Sequence, residues 1–153
     1  MRSLLATTDD IGPAIARLTL GLVFFPHGAQ KVFGWFGGYG FSGTMGFFTG
    51  TMHFPAFLAF LVICAEFLGS LGLIVGFLGR LGAFLIACDM IGAVTLIHHN
   101  FGFFMNWTGQ QKGEGFEYHL LVLGLALLVM VKGSGAASVD LALTRREGGP
   151  ATT

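Results

Sequence analysis

Charge is what this chain has least of. Of its 153 residues, 8 are Lys or Arg and 8 are Asp or Glu, 10% in all, whereas a soluble domain carries about 25%. Water-facing surface needs charge, so the deficit excludes an ordinary soluble globular domain. The two signs cancel to a net charge of +0, which leaves no basic footprint for nucleic acid. Cysteine is nearly absent too: Cys64 and Cys88 sit far apart inside apolar runs, with no C-x-x-C pair and no zinc spacing. That excludes a disulfide framework and a sequence-local redox motif, and two such cysteines read as inert packing residues. No H-E-x-x-H or comparable ligand spacing occurs, so no metal centre is expected.

What is present is apolar. Hydrophobic residues make up 54% of the chain, with 25 Gly and 17 Phe, and the mean hydropathy is +0.76. Four apolar segments stand out at about 12–33, 55–77, 80–99 and 116–132. A bilayer crossing takes about 20 apolar residues, with a range of roughly 17–25. Lipid cannot satisfy backbone N–H and C=O groups, so each segment is predicted to be a helix. The fold class expected is therefore all-α: one transmembrane domain over 1–153, a polytopic four-helix bundle in contact with the lipid bilayer. The connection Phe77-Leu78-Gly79-Arg80 is short enough to make the second and third helices a tight antiparallel hairpin. The first apolar stretch carries Arg17 and ends in Pro26, His27 and Lys31 without a small-residue cleavage site, so it reads as a retained helix rather than a signal peptide.

Orientation follows from the basic residues. Four spans place the N-terminus, the hairpin and the C-terminus on one side, which holds Arg2, Arg80, Lys132, Arg145 and Arg146, against Lys31 and Lys112 on the other. Both termini are accordingly expected in the cytoplasm of a cell with an inner membrane. The connection from Gly34 to Phe54, between the first and second helices, is rich in Gly and aromatics and free of Lys, Arg, Asp and Glu. It is expected to lie as a loop in the interface or to dip into the bundle, with Trp35 and Tyr39 at headgroup level. Residues 141–153 read as a polar tail.

Ionisable groups inside a membrane cost at least roughly 2.5–3.5 kcal/mol each at the helix centre, which makes them the first candidates for function. Arg17, Gly21, Phe24, Gly28 and Lys31 fall on one helical face, as a stripe about 21 Å long with a cation near each end. His27 lies beside Pro26, which removes a backbone donor and crowds the carbonyl of Leu22. Glu66 and Asp89 lie near the middles of the second and third helices, at similar depth given the hairpin. Two readings stand side by side: a structural network in which Arg17 neutralises Glu66, and proton-carrying carboxylates that serve a redox ligand. All five histidines, His27, His53, His98, His99 and His119, fall toward the outer side, but helical phasing prevents all five from converging.

The segment RLTLGLVFFPHGAQKVFG (Arg17 to Gly34) resembles the opening signature of DoxX-like membrane proteins: an Arg, a Gly, then H-G-x-x-K and a following Gly. AEFLGSLGLIVGFLGRLGA (Ala65 to Ala83) is similar to the family's second block, and GSGAASVD (Gly133 to Asp140) to its G-x-G-x-x-S-x-D. The resemblance implies a four-helix membrane fold in a superfamily that includes small subunits of thiosulfate:quinone oxidoreductases. It also includes proteins of thiol-redox complexes and of periplasmic enzyme maturation. By position, Arg17, His27, Gly28, Lys31 and Glu66 would be the polar signature, and Asp140 would cap or anchor the cytoplasmic end. The cysteine pair of the thiol-active relatives is missing here.

The leading expectation is a membrane subunit of an oxidoreductase that binds quinone near the outer face. Lys31, His27 and His99 would contact the quinone carbonyls. Phe24, Phe25, Phe33 and Trp35 would form ring-stacking walls, while Glu66, Asp89 and Arg17 would serve the proton chemistry. The alternatives are a non-enzymatic anchor or assembly factor for a soluble redox protein, a haem-binding electron carrier using two outer histidines, and, last, a transporter. The Gly faces also admit a homo-oligomer.

Overall fold

In the computed structural model, which describes residues 2–147, every regular element is helical, and among the described residues there is no strand. The α-helices are α1 (Arg2–Leu5), α2 (Ile11–Phe33), α3 (Gly40–Gly46), α4 (Ala56–Val75), α5 (Gly79–Leu96), α6 (Glu117–Lys132) and α7 (Val139–Glu147). α2 starts where Asp10 accepts the Gly12 N–H at 2.9 Å, and it ends at Gly34, whose φ of 73° breaks the helical path. It runs through Pro26 unbroken.

The four long helices form a closed ring of neighbours: α2 packs on α4 and α6, and α5 packs on α4 and α6. Small residues set the closest approaches. A Cβ added at Gly28 would stand 2.6 Å from Phe67 Cα, and one at Gly21 would stand 2.9 Å from Ile74 N, so the α2 and α4 backbones touch there. Leu20, Phe24, Leu73, Ile86, Val122 and Val129 fill the space between the helices.

The hairpin end is tied by two buried charged residues. Arg17, only 1% exposed, donates from Nε to the Ser134 carbonyl (2.7 Å) and from its terminal nitrogens to the carbonyls of Leu73 (2.7 Å), Ile74 (2.8 Å), Ala136 (3.2 Å) and Ala137 (2.6 Å). It thereby satisfies carbonyls at the C-terminus of α4, which a helix end leaves orphaned. Asp140 accepts the N–H groups of Leu78 (2.9 Å) and Gly79 (3.1 Å) and the Ser134 hydroxyl (2.5 Å), capping the N-terminus of α5. The pairing of Arg17 with Glu66 does not form, because Arg17 is held at this end of the bundle.

Three segments differ from their sequence-based expectation. The stretch expected as a loop between the first two long helices is mostly helical: a 3₁₀ turn at Trp35–Gly37, then α3, then a π turn at Phe47–Thr51. α4 and α5 stop at Val75 and Leu96, short of the expected 77 and 99; Gly76 in the left-handed region ends the first, and a 3₁₀ turn at His98–Phe101 follows the second. Part of the polar tail is α7, anchored by the buried Leu141; residues 148–153 lie outside the described residues.

The outward surface is apolar. Ile11, Leu22, Phe57, Leu68, Leu121 and Val131 are all more than half exposed. α4 and α5 are each long and apolar enough to cross a membrane by length and composition. α2 carries Arg17, Pro26, His27 and Lys31, and α6 has 16 residues, a rise of about 24 Å.

Candidate functional site

The close approach at Gly28 decides which side chains meet. It sets the Glu66–Phe67 turn of α4 directly against α2, so Lys31, one helical turn further along, reaches Glu66. The ammonium and carboxylate are 2.5 Å apart, with side-chain exposures of 22% and 7%. α5 adds Asp89, whose carboxyl is within hydrogen-bonding reach of Glu66 and in electrostatic range of Lys31. α6 adds Tyr118, whose hydroxyl is in electrostatic range of Glu66 and is buried without a hydrogen-bond partner. Three of the four long helices thus bring Lys31, Glu66 and Asp89 into one cluster, with the buried, unpartnered Tyr118 hydroxyl on the fourth.

Asp89 also opens onto a cleft of about 280 Å³ between α4 and α5. Leu58, Leu61 and Ala65 of α4 and Leu85, Gly92 and Leu96 of α5 form its walls, and Phe48, Met52 and Phe54 cover it. Phe48 and Phe54 stack with centroids 5.5 Å apart and planes 6° from parallel. A Cβ at Gly92 would meet nothing within 4 Å, so there is open space in the cleft one helical turn from the acid. The lining is apolar apart from the Asp89 carboxyl and the Cys88 thiol. Such a cleft admits a flat apolar group and sets one proton-exchanging oxygen pair against it.

The other sequence candidates lie elsewhere. His27 is exposed, its ring 6.1 Å from that of Phe24, which is buried in the core. Phe33 stacks on Trp35 at 5.1 Å and meets Phe67 edge-on at 5.2 Å, beside the cluster but away from the cleft. Phe25 lies against Phe67 at 6.1 Å. Exposed His99 turns its Nδ1 to the Val94 carbonyl at 3.2 Å. Lys31, Glu66 and Asp89 are therefore brought together, while Arg17, His27, Phe24, Trp35 and His99 are not part of the group.

His98 and His119 form a histidine pair, with ring centroids 4.2 Å apart. His98 Nδ1 is 2.8 Å from the Glu114 carbonyl; His119 is buried, its Nδ1 turned toward the Phe116 carbonyl without closing a hydrogen bond. Haem held by two histidines needs its iron between the rings, and rings in contact leave no room for it, so this pair does not fit a haem. Among the described residues no group of three or more His, Cys, Asp and Glu could hold a metal ion.

Sequence reasoning passed over Tyr118 and the Phe48–Met52–Phe54 cover. Tyr118 carried a signal, being one of only two tyrosines and lying at the start of an apolar helix. The cover carried a weaker one in the i, i+4 spacing of Phe48 and Met52.

The family model described as DoxX matches residues 12–99, a span that contains Lys31, Glu66, Asp89 and every residue lining the cleft. The chain is 30% identical over 138 residues to "Inner membrane protein YqjF" of Escherichia coli (strain K12), covering 90% of this chain and 96% of that protein. It is 29% identical over 118 residues to "Putative oxidoreductase CatD" of Bacillus subtilis (strain 168), covering 77% and 78%. No solved structure matches the chain.

Proposed function

Because the chain belongs to the DoxX family, we propose that it is a multi-pass inner-membrane protein serving an oxidoreductase system, with the Asp89 cleft as the seat of a quinone ring. The observation that carries this reading is the junction of one apolar cleft with a buried ionisable cluster through a single side chain, Asp89. The apolar exterior of the four long helices supports immersion in lipid. The relatives' names, one an inner membrane protein and one an oxidoreductase, support location and reaction class. With four crossings, by α2, α4, α5 and α6, both termini would share a side with Arg80, Lys132 and Arg145, which the positive-inside rule reads as cytoplasmic.

Reducing a quinone to its quinol takes two electrons and two protons. The electrons come from a redox partner protein; the chain's own residues handle protons. Asp89 exchanges one at the cleft, Glu66 exchanges with Asp89, and Lys31 offsets the charge of the pair. Two carboxyls facing one ammonium reach electroneutrality when they share one proton, and an apolar interior favours neutrality. The cleft holds a headgroup, and its open side lets a tail run into lipid.

Gly92→Leu extends into the cleft from a position where a Cβ meets nothing within 4 Å, so the fold should survive while decylubiquinone binding to the full chain in nanodiscs is lost. Asp89→Asn should weaken that binding by about tenfold, ~1.4 kcal/mol. Wild-type affinity in both variants would refute the quinone site.

A second reading, an anchor or assembly factor, is favoured by the exposed aromatics Trp35, Phe36, Tyr39, Phe41 and Phe47 on the segment between α2 and α4. Replacing that segment's aromatics with serine should then abolish co-purification of a redox partner while leaving decylubiquinone binding intact. Retained co-purification would remove this reading.

A further inference from the structure

We propose that the Asp89 cleft selects quinones whose rings carry hydrocarbon substituents only, such as a naphthoquinone, over methoxy-substituted benzoquinones. This names the substrate class of the site given above and rests on that reading. It follows from a count of hydrogen-bond donors. Of the 14 residues lining the cleft, only Asp89 and Cys88 carry a side-chain donor. The carboxyl donates when it holds the proton it shares with Glu66, and the thiol is a weak donor. The backbone beside Asp89 adds none. The N–H groups of Leu61, Val62 and Ala65 on α4 and of Leu85, Gly92 and Leu96 on α5 bond back along their own helices. In the cover, the Met52 N–H donates to the Phe47 carbonyl at 3.1 Å and the Phe54 N–H to the Phe48 carbonyl at 2.9 Å.

Every quinone brings two ring carbonyls as acceptors, and the carboxyl and the thiol match them in number. A benzoquinone with two methoxy groups brings two further oxygens. In the hydrated headgroup layer those oxygens have water, whereas the cleft gives them no partner, and an acceptor buried unpaired costs free energy. Methyl groups or a fused second ring bring no such acceptor. They bury hydrocarbon against Leu58, Leu61 and Leu85 and against the Phe48–Phe54 stack, whose ring centroids are 5.5 Å apart, and that burial is favourable. Shape acts in the same direction. Two adjacent methoxy groups turn out of the ring plane, while a fused ring stays flat. The cleft, at about 280 Å³, lies near the lower end of the range for ligand pockets, roughly 300–1,000 Å³.

The test is equilibrium binding of three probes to the full chain in nanodiscs of one lipid composition, corrected against empty nanodiscs. The probes are decylubiquinone, decylplastoquinone and 2-decyl-3-methyl-1,4-naphthoquinone. All three share one tail, and the first carries two methoxy groups where the second carries two methyls. The naphthoquinone and decylplastoquinone should each bind about tenfold tighter than decylubiquinone, ~1.4 kcal/mol. Leu61→Gln, which adds an amide donor to the lining, should narrow that ratio to about threefold, ~0.7 kcal/mol. The ratio is read within one variant, so a general loss of affinity cancels. Decylubiquinone binding as tightly as decylplastoquinone, or an unchanged ratio in Leu61→Gln, would overturn the selectivity while leaving the quinone site standing. Binding of none of the three would overturn the quinone site and the selectivity with it.

Discussion

In Gly28→Ala the added methyl would lie 2.6 Å from the Cα and 2.8 Å from the N of Phe67, and 3.0 Å from the carbonyl carbon of Glu66. All three are backbone atoms of α4 and cannot rotate away. Ordinary carbon contacts lie at about 3.5–4.0 Å, so α2 and α4 must separate by about 1 Å at this level. Overpacking of this kind costs ~1–3 kcal/mol, and alanine recovers ~1 kcal/mol of helix propensity over glycine. The expected net loss is ~0–2 kcal/mol, a fall in Tm of at most on the order of 5 °C. Thermal unfolding in one detergent, followed by light scattering and tryptophan fluorescence, reads this directly. Gly124→Ala is the control, because a Cβ there meets nothing within 4 Å; it should leave Tm unchanged or raise it. The same separation pulls Glu66 from Lys31, so the variant should also lose decylubiquinone affinity if that cluster serves the cleft. Equal Tm values for the Gly28 and Gly124 variants would refute the account of helix contact and, with it, the account of how the cluster is positioned.

Arg17→Lys replaces a planar fork serving five carbonyls with a group that offers three donors. Stability should fall by about 2 kcal/mol with no change in decylubiquinone affinity; a changed affinity at full stability would return Arg17 to the site. A double-mutant cycle on Lys31→Met and Glu66→Gln should give a coupling of about 1–2 kcal/mol, discounted for the partial exposure of Lys31; a coupling near zero would mean that the 2.5 Å ion pair contributes nothing. A reporter fused to the C-terminus should be active in the cytoplasm, and activity confined to the outer side would invert the orientation read from Arg80, Lys132 and Arg145.

The four long helices were legible because their causes are local. Apolar runs of membrane-crossing length and the Phe77–Arg80 break between two of them act within a few residues. The shared depth of Glu66 and Asp89 was legible for the same reason: a short hairpin fixes depth by counting equal distances back along both arms. The family blocks around Arg17 and Ala65 carried the membership before any geometry was known.

Which cation meets Glu66 was not legible. Arg17 and Lys31 share one face of α2 about 21 Å apart, and helical periodicity treats them alike. The choice depends on where α4 crosses, and backbone contact at Gly21 and Gly28 sets that crossing. It delivers the Leu73 and Ile74 carbonyls to Arg17 and the Glu66 carboxylate to Lys31. The cleft was hidden likewise, because Phe48, Met52 and Phe54 reach α4 and α5 only after the preceding segment has turned back on itself. Sequence alone settled the four long apolar helices, though not α3 or α7, and the presence of buried charge. Tertiary structure alone settled which charges meet and what cavity they face, because contacts between helices depend on the register and distance of surfaces that no local pattern encodes.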